Sequence, residues 1–201
     1  MKTLMIITML GTFFVSSLNA GGYNPGDKAS DFKLKNVDGK LVSLADYKTA
    51  KGFIVVFTCN HCPYAQAYQD RLIELNNKYL SAGFPVIAIN PNDPAVSPGD
   101  SYEEMQKRAG EKKYPFPYLF DETQAVYKMY GAERTPHIYL LNKEGNDYIV
   151  KYIGAIDNNY KDPQLVTEKY LENAIDAVLA GRSPDLNQTK AIGCSIKTRQ
   201  P

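Results

Sequence analysis

The chain has 201 residues, 44% hydrophobic and 22% charged, the profile of one globular domain with a sizeable core. Its 23 Lys and Arg offset 22 Asp and Glu to a net charge of +1, so no charged field marks nucleic acid or an anionic membrane as the partner. Three cysteines are too few for a disulfide-stapled mini-domain, and the composition excludes collagen-like, low-complexity and wholly disordered chains.

The first residues read as a processing signal. Lys2 precedes an uncharged apolar run from Met5 to Val15, and Ser16-Ser17-Leu18-Asn19-Ala20 offers small residues near a cut after Ala20. This is the layout of a secretory signal, and the run is short for a membrane span. A retained N-terminal anchor is the alternative; no Cys follows the cut to carry a lipid. The expected organisation is a signal peptide over 1–20, a folded domain over 21–182 and a polar tail over 183–201, weakly structured apart from Ile192-Gly193-Cys194-Ser195-Ile196. The expected location is periplasmic or secreted, without stable membrane insertion once the signal is removed. Such a compartment is oxidising and permits thiol–disulfide chemistry.

In the mature chain, Asp31 to Lys35 alternates polar and apolar residues and Leu41 to Leu44 forms a second short strand. Val37-Asp38-Gly39-Lys40 between them carries the Asp-Gly hairpin signal. Gly52 to Thr58 is almost wholly apolar and β-branched, as a strand buried on both faces is. Tyr68, Leu72, Leu75 and Tyr79 then recur at helical spacing, with Gly83 at the helix stop. Phe84 to Ile89 is a second buried strand, so the three segments predict a parallel, right-handed βαβ unit.

Residues 90–118 begin with loop chemistry, Asn90-Pro91-Asn92-Asp93-Pro94 and Ser97-Pro98-Gly99. Ser101-x-x-Glu104 reads as a capping box opening a helix to about Ala109. A short helix over Thr123 to Tyr130 ends at Gly131. Strands follow at His137 to Leu141 and Tyr148 to Ile153, turning through Lys143 to Asn146. Asp162-Pro163 reads as the N-cap and first-turn proline of the last helix, whose apolar face is Leu171, Ala174, Ile175 and Val178. The element order ββ–βαβ–α–α–ββ–α predicts a mixed sheet with helices on both faces.

The candidate chemistry is Cys59-Asn60-His61-Cys62, two cysteines between a buried strand and a helix. Strand ends are where open α/β sheets place their sites. The unsatisfied N–H groups of a first helical turn favour a thiolate. One sulfur attacks a partner disulfide and the other resolves the mixed disulfide. Cys59, nearer the strand end, is assigned the attack, and Cys62 the more buried resolving role. His61, as a cation or donor, is expected to stabilise the Cys59 thiolate and to raise the potential above that of thioredoxin. A structural disulfide, half of a zinc site and copper held by two thiolates and a histidine are the bland readings. Haem attachment needs a His after the second Cys, and Pro63 stands there.

Arg134-Thr135-Pro136-His137 is the second constellation. A cis Pro136 opposite the cysteines holds the preceding carbonyl and N–H ready to pair with a substrate backbone; an ordinary trans proline at a strand start is the alternative. His137 reads as a strand residue before a base. Cys194 is open between an inert tail thiol, a third redox partner and an intermolecular link.

The ordered set Asp31-Phe32-x-Leu34, Asp38-Gly39-Lys40, Ser43-Leu44, Phe57-Thr58-Cys59-x-x-Cys62-Pro63, Phe116-Pro117-Tyr118-Leu119-x-Asp121, Tyr130-Gly131-Ala132, Thr135-Pro136 and Asn142-Lys143-Glu144-Gly145 resembles the thioredoxin-like superfamily. Within it the resemblance is to the alkyl-hydroperoxide-reductase/thiol-specific-antioxidant (redoxin) branch, over roughly residues 23–180. It implies an α/β thioredoxin fold, a central mixed sheet flanked by helices, with an N-terminal β-hairpin and an insertion near 91–115. It further implies Cys59 and Cys62 as the redox pair and Pro136 as the cis-proline. The function read from this is thiol–disulfide oxidoreductase. Protein thiols and disulfides and an upstream redox partner are the expected partners, with no cofactor and no metal. The rival is a peroxiredoxin-like peroxidase. That set needs a Thr three residues before the reactive cysteine, where Val56 stands, a Pro that the strand lacks, and an Arg, for which Arg134 is available. Copper delivery on the same fold is a third reading.

Overall fold

Burial on both faces organises the centre of the molecule. The computed structural model describes residues 21–199; the signal assigned to 1–20 lies outside the described residues. Strand β4 (Gly52–Phe57) is buried throughout. Its side chains alternate, Ile54 and Val56 into one apolar cluster and Phe53, Val55 and Phe57 into another. This alternation requires cover on both sides, and the helices supply it. Helix α1 (Pro63–Tyr79) places Tyr68, Leu72, Leu75 and Tyr79 against the first cluster, the four positions its spacing predicts.

The remaining strands are β1 (Lys28–Ala29), β2 (Lys33–Asn36), β3 (Leu41–Ser43), β5 (Val86–Asn90), β6 (Tyr118–Phe120), β7 (Arg134–Thr135), β8 (His137–Glu144), β9 (Asp147–Gly154) and β10 (Cys194–Ser195). Seven of them join β4 in one sheet in the order β1-β9-β8-β4-β5-β6-β2-β3. Strands β4, β5 and β6 are parallel, and the other pairings are antiparallel. Helices α2 (Tyr102–Lys112) and α4 (Tyr170–Leu179) join α1 on one face through Met105, Leu171, Ala174 and Ile175. Helix α3 (Ala125–Tyr130) covers the other with Val126, Tyr127 and Tyr130.

Three details differ from the sequence reading. Strand β6 is unforeseen: three buried residues between β5 and β2 attach the hairpin to the sheet. Asp162 does cap, accepting from Gln164 N at 2.8 Å, but it caps a separate 3-10 turn, Pro163–Leu165, and the last helix starts at Tyr170. The tail is not loose. Thr189 N donates to Ile153 O (2.9 Å), Ile196 N to Glu133 O (3.1 Å) and Lys197 N to Asn92 Oδ1 (2.8 Å). Buried Ile196 packs into the α3-side cluster. Polar residues 187–199 therefore fold by backbone pairing onto the domain rather than by burying a helical or strand face of their own.

Leu72→Ala removes a side chain packed between α1 and the sheet and should cost about 2–5 kcal/mol in chemical denaturation. Leu41→Ala, on an exposed strand, should stay within about 0.5 kcal/mol. Equal effects would contradict this assignment of the core.

Candidate active site

Strand β4 ends at Phe57 and α1 begins at Pro63, so Cys59-Asn60-His61-Cys62 spans the junction at the carboxyl end of the central strand. Helix α1 starts at Pro63, and Cys62 is its N-cap. Both sulfurs are shielded, the residues being 3% and 4% exposed.

Thr135 meets both. Its Oγ1 lies 3.1 Å from Cys59 Sγ and its carbonyl oxygen 3.1 Å from Cys62 Sγ. The Thr135–Pro136 peptide bond is cis. Strand β10 pairs antiparallel with β7, Cys194 opposite Thr135 and Ser195 opposite Arg134. This brings Cys194 Sγ to 2.7 Å from Cys62 Sγ, while Cys194 N donates to the same sulfur at 3.3 Å.

Asn60 fixes the loop between the cysteines. Its N–H donates to Asp100 Oδ1 (2.7 Å) and its Nδ2 to Gly99 O (3.0 Å), while Tyr118 OH donates to its Oδ1 (3.0 Å) and Gln66 Nε2 to its carbonyl (2.7 Å). Asp100 is fully buried. It also accepts from Asn92 Nδ2 (2.8 Å) and Ser97 Oγ (2.7 Å). A buried carboxylate is tolerated where donors satisfy it, and here they come from the cysteine loop and from the insertion. The Asn-Pro and Ser-Pro-Gly loop chemistry of the sequence thus builds the support beneath the cysteines.

The sulfurs share their protons unequally. Hydrogen bonding with Cys62, then burial and the Asp100 carboxylate, push the Cys59 thiol well above the ordinary range. Hydrogen bonds from Cys59 and Cys194 and from the backbone N–H groups of Ala65 and Cys194 outweigh burial at Cys62 and hold its thiol down to about 5. The coupled pair therefore shares one proton, and the hydrogen bonds from Cys59, Cys194 and the backbone N–H groups favour charge at Cys62. Burial, then the neighbouring Cys62, push Cys194 up to about 11. Thr135 supports the reverse arrangement, since its hydroxyl can donate to a Cys59 thiolate and its carbonyl can accept from a Cys62 thiol.

The other residues singled out in the sequence have different surroundings. His61 is exposed, and its ring lies so close over Gly99 that a Cβ there would meet it at 1.7 Å. Among the described residues no hydrogen bond joins His61 to either sulfur, since anchoring of Asn60 turns it toward the insertion. Arg134 Nη1 donates to Gly193 O at 2.9 Å and so holds the tail. His137 is buried in β8, and burial together with Arg134 lowers its pKa to about 4, leaving it neutral. Asn60, Asp100 and Tyr118 escape sequence reasoning; the paired Asn and Ser residues of 90–101 are the one signal. Among the described residues no three His, Cys, Asp or Glu side chains are grouped to hold a metal ion.

A family model described as the AhpC/TSA family matches residues 25–152. An uncharacterized conserved protein of Geobacillus kaustophilus is 40% identical, with a TM-score of 0.81 over 89% of this chain and 94% of its own. The thiol-disulfide oxidoreductase ResA of Geobacillus thermodenitrificans is 28% identical over 120 residues, 60% of this chain and 64% of that relative's length. The thioredoxin domain of a thiol-disulfide oxidoreductase from Bacteroides vulgatus shares the fold at 22% identity, with a TM-score of 0.53 over 66% of this chain and 91% of its own. Peroxiredoxins match at identities comparable to that of ResA.

Two outcomes follow from this geometry. Thiolate absorbance of the reduced protein should persist from neutral pH down to a midpoint near 5 and vanish below it, because a lowered pKa keeps the charged form to lower pH. A midpoint at the ordinary thiol value of about 8.5 would contradict it. Asp100→Ala leaves buried donors unpartnered and should lower stability by about 1–3 kcal/mol in denaturant titration, with faster alkylation of both cysteines; unchanged alkylation would remove Asp100 as the support of the loop.

Proposed function

The chain belongs to the AhpC/TSA family, the redoxin branch of the thioredoxin-like superfamily, and from that premise we propose that it is a thiol–disulfide oxidoreductase working through Cys59 and Cys62 on protein disulfides. The observation that carries the reading is the convergence of both sulfurs on Thr135, each at 3.1 Å, at the end of the central strand.

The chemistry follows from the proton arrangement. The proton of Cys59 passes to its coupled neighbour Cys62. Cys59 is then a thiolate facing the Thr135 hydroxyl, and Cys62 a thiol donating to the Thr135 carbonyl. The Cys59 sulfur attacks a partner disulfide, forming one S–S bond and releasing one partner thiolate. Cys62 attacks Cys59 in turn, the bond from Cys59 to the partner breaks, and the Cys62 proton goes to the departing partner sulfur. Two electrons have moved to the partner, and the 59–62 disulfide remains. The reverse sequence oxidises a dithiol. The backbone of Thr135 beside cis Pro136 is the edge suited to pairing with a partner strand, and β10 of this chain occupies it. His61 stands at the rim, where it meets a partner rather than the sulfurs. The leader over residues 1–20 supports a periplasmic or secreted setting, and among the described residues no helix is long and apolar enough to cross a membrane.

The peroxidase reading has less support. Val56, three residues before Cys59, is buried in β4. Arg134, the nearby guanidinium, is turned to the tail carbonyl of Gly193.

The reduced protein should reduce insulin disulfides, and Cys59→Ser and Cys62→Ser should each fall to background. Rapid hydroperoxide consumption that survives Cys62→Ser would make the protein a peroxidase instead, and stoichiometric copper retained through purification would favour metal delivery.

A further inference from the structure

The tail occupies the position the proposed function reserves for a partner. Cys194 lies opposite Thr135 in an antiparallel pair, the edge on which a partner strand is expected. The approach is close: a Cβ on Gly193 would come within 2.2 Å of the Thr135 carbonyl oxygen, so only glycine lets the tail lie so near β7. Arg134 Nη1 holds the Gly193 carbonyl at 2.9 Å. On the far side Ile196 N donates to Glu133 O at 3.1 Å, and Lys197 O accepts from Asp93 N at 2.8 Å and Gln124 Nε2 at 2.9 Å. The chain thus presents one of its own cysteines as a substrate strand would, with the sulfur delivered to Cys62 at 2.7 Å.

We propose that Cys194 is a third redox cysteine, which exchanges with the Cys59–Cys62 disulfide to form a Cys62–Cys194 disulfide. The proposal rests on the oxidoreductase reading above, since it needs that disulfide to form. The step is an isomerisation. Cys194 sulfur attacks Cys62 sulfur, the 59–62 bond breaks, the 62–194 bond forms, and the Cys194 proton goes to the released Cys59 sulfur. No electrons are gained or lost and no co-reactant is consumed.

Cys62 is the sulfur through which this passes, since it touches Cys194 directly and shares Thr135 with Cys59. Oxidation itself favours the exchange. The charge on Cys62 helps keep the Cys194 proton in place, and that charge disappears when Cys62 enters a disulfide. The consequence is a change of exposure. The 59–62 pair is shielded on both residues, whereas Cys194 is only partly buried. Exchange carries the disulfide to a sulfur on the tail, where a protein dithiol can reach it.

The test uses the full mature chain oxidised with excess oxidised glutathione, freed of it, acid-quenched, labelled under denaturing conditions with N-ethylmaleimide and mapped by peptide mass spectrometry. The expected result is a single free thiol per chain, divided between Cys59 and Cys194. The Cys59 label should be lost in Cys194→Ser, and Cys59→Ser should give a Cys62–Cys194 disulfide. If the wild type carries its label on Cys194 alone and Cys59→Ser gives only glutathione adducts, the third-cysteine role is overturned while the 59–62 pair stands. If all three cysteines of the wild type are labelled or glutathionylated and no intramolecular disulfide forms, both readings are overturned. The wild-type map requires no variant to fold.

Discussion

Thr135 holds three parts of the molecule in place. Its hydroxyl reaches Cys59, its carbonyl reaches Cys62, and its backbone pairs with Cys194. One buried residue thereby brings the neighbouring Cys59 and Cys62 sulfurs together with that of Cys194, 132 positions beyond Cys62. Sulfurs exchange only when they can approach in line and when one of them is a thiolate. The protein meets the first condition by placing β7 beside the end of β4. It meets the second by N–H groups at the start of α1 and on β10.

The loop that presents the cysteines is itself held from beneath. Without Asp100 the N–H of Asn60 would be a buried donor with no acceptor. Asp100 is supplied by the insertion that distinguishes this chain from a bare βαβ unit. Asn92 of the same insertion also accepts from Lys197, so the support of the cysteine loop and the anchor of the tail belong to one segment. A change in the insertion therefore acts on both sides of the sulfurs.

Much of this was legible in the sequence. The βαβ unit and hairpin follow from period-2 and period-3.6 patterns long enough to be unambiguous. Cys59-x-x-Cys62 at the strand–helix junction follows from their arrangement. What escaped is physically instructive. Strand β6 has three residues, too few to show a period. Asp162-Pro163 caps a 3-10 turn with the same chemistry that caps an α-helix. The lowered pKa of Cys62 depends partly on the Cys194 sulfur and N–H, which meet it only in three dimensions, across 132 positions. Residues 187–199 look loose because their composition is polar, yet their order comes from backbone pairing, which composition does not record. Asp100 and Asn60 meet only in three dimensions, across 40 positions.

The fold places a shielded pair of thiols at the mouth of the sheet, and the account stands on that pair cycling between dithiol and disulfide. The most direct measurement is a redox titration of the protein against glutathione couples, followed by the thiolate absorbance. A single two-electron transition is predicted, abolished by Cys62→Ser, at a potential between about −270 and −120 mV. A one-electron slope, or a titration that leaves Cys59 and Cys62 reduced throughout that range, would contradict it.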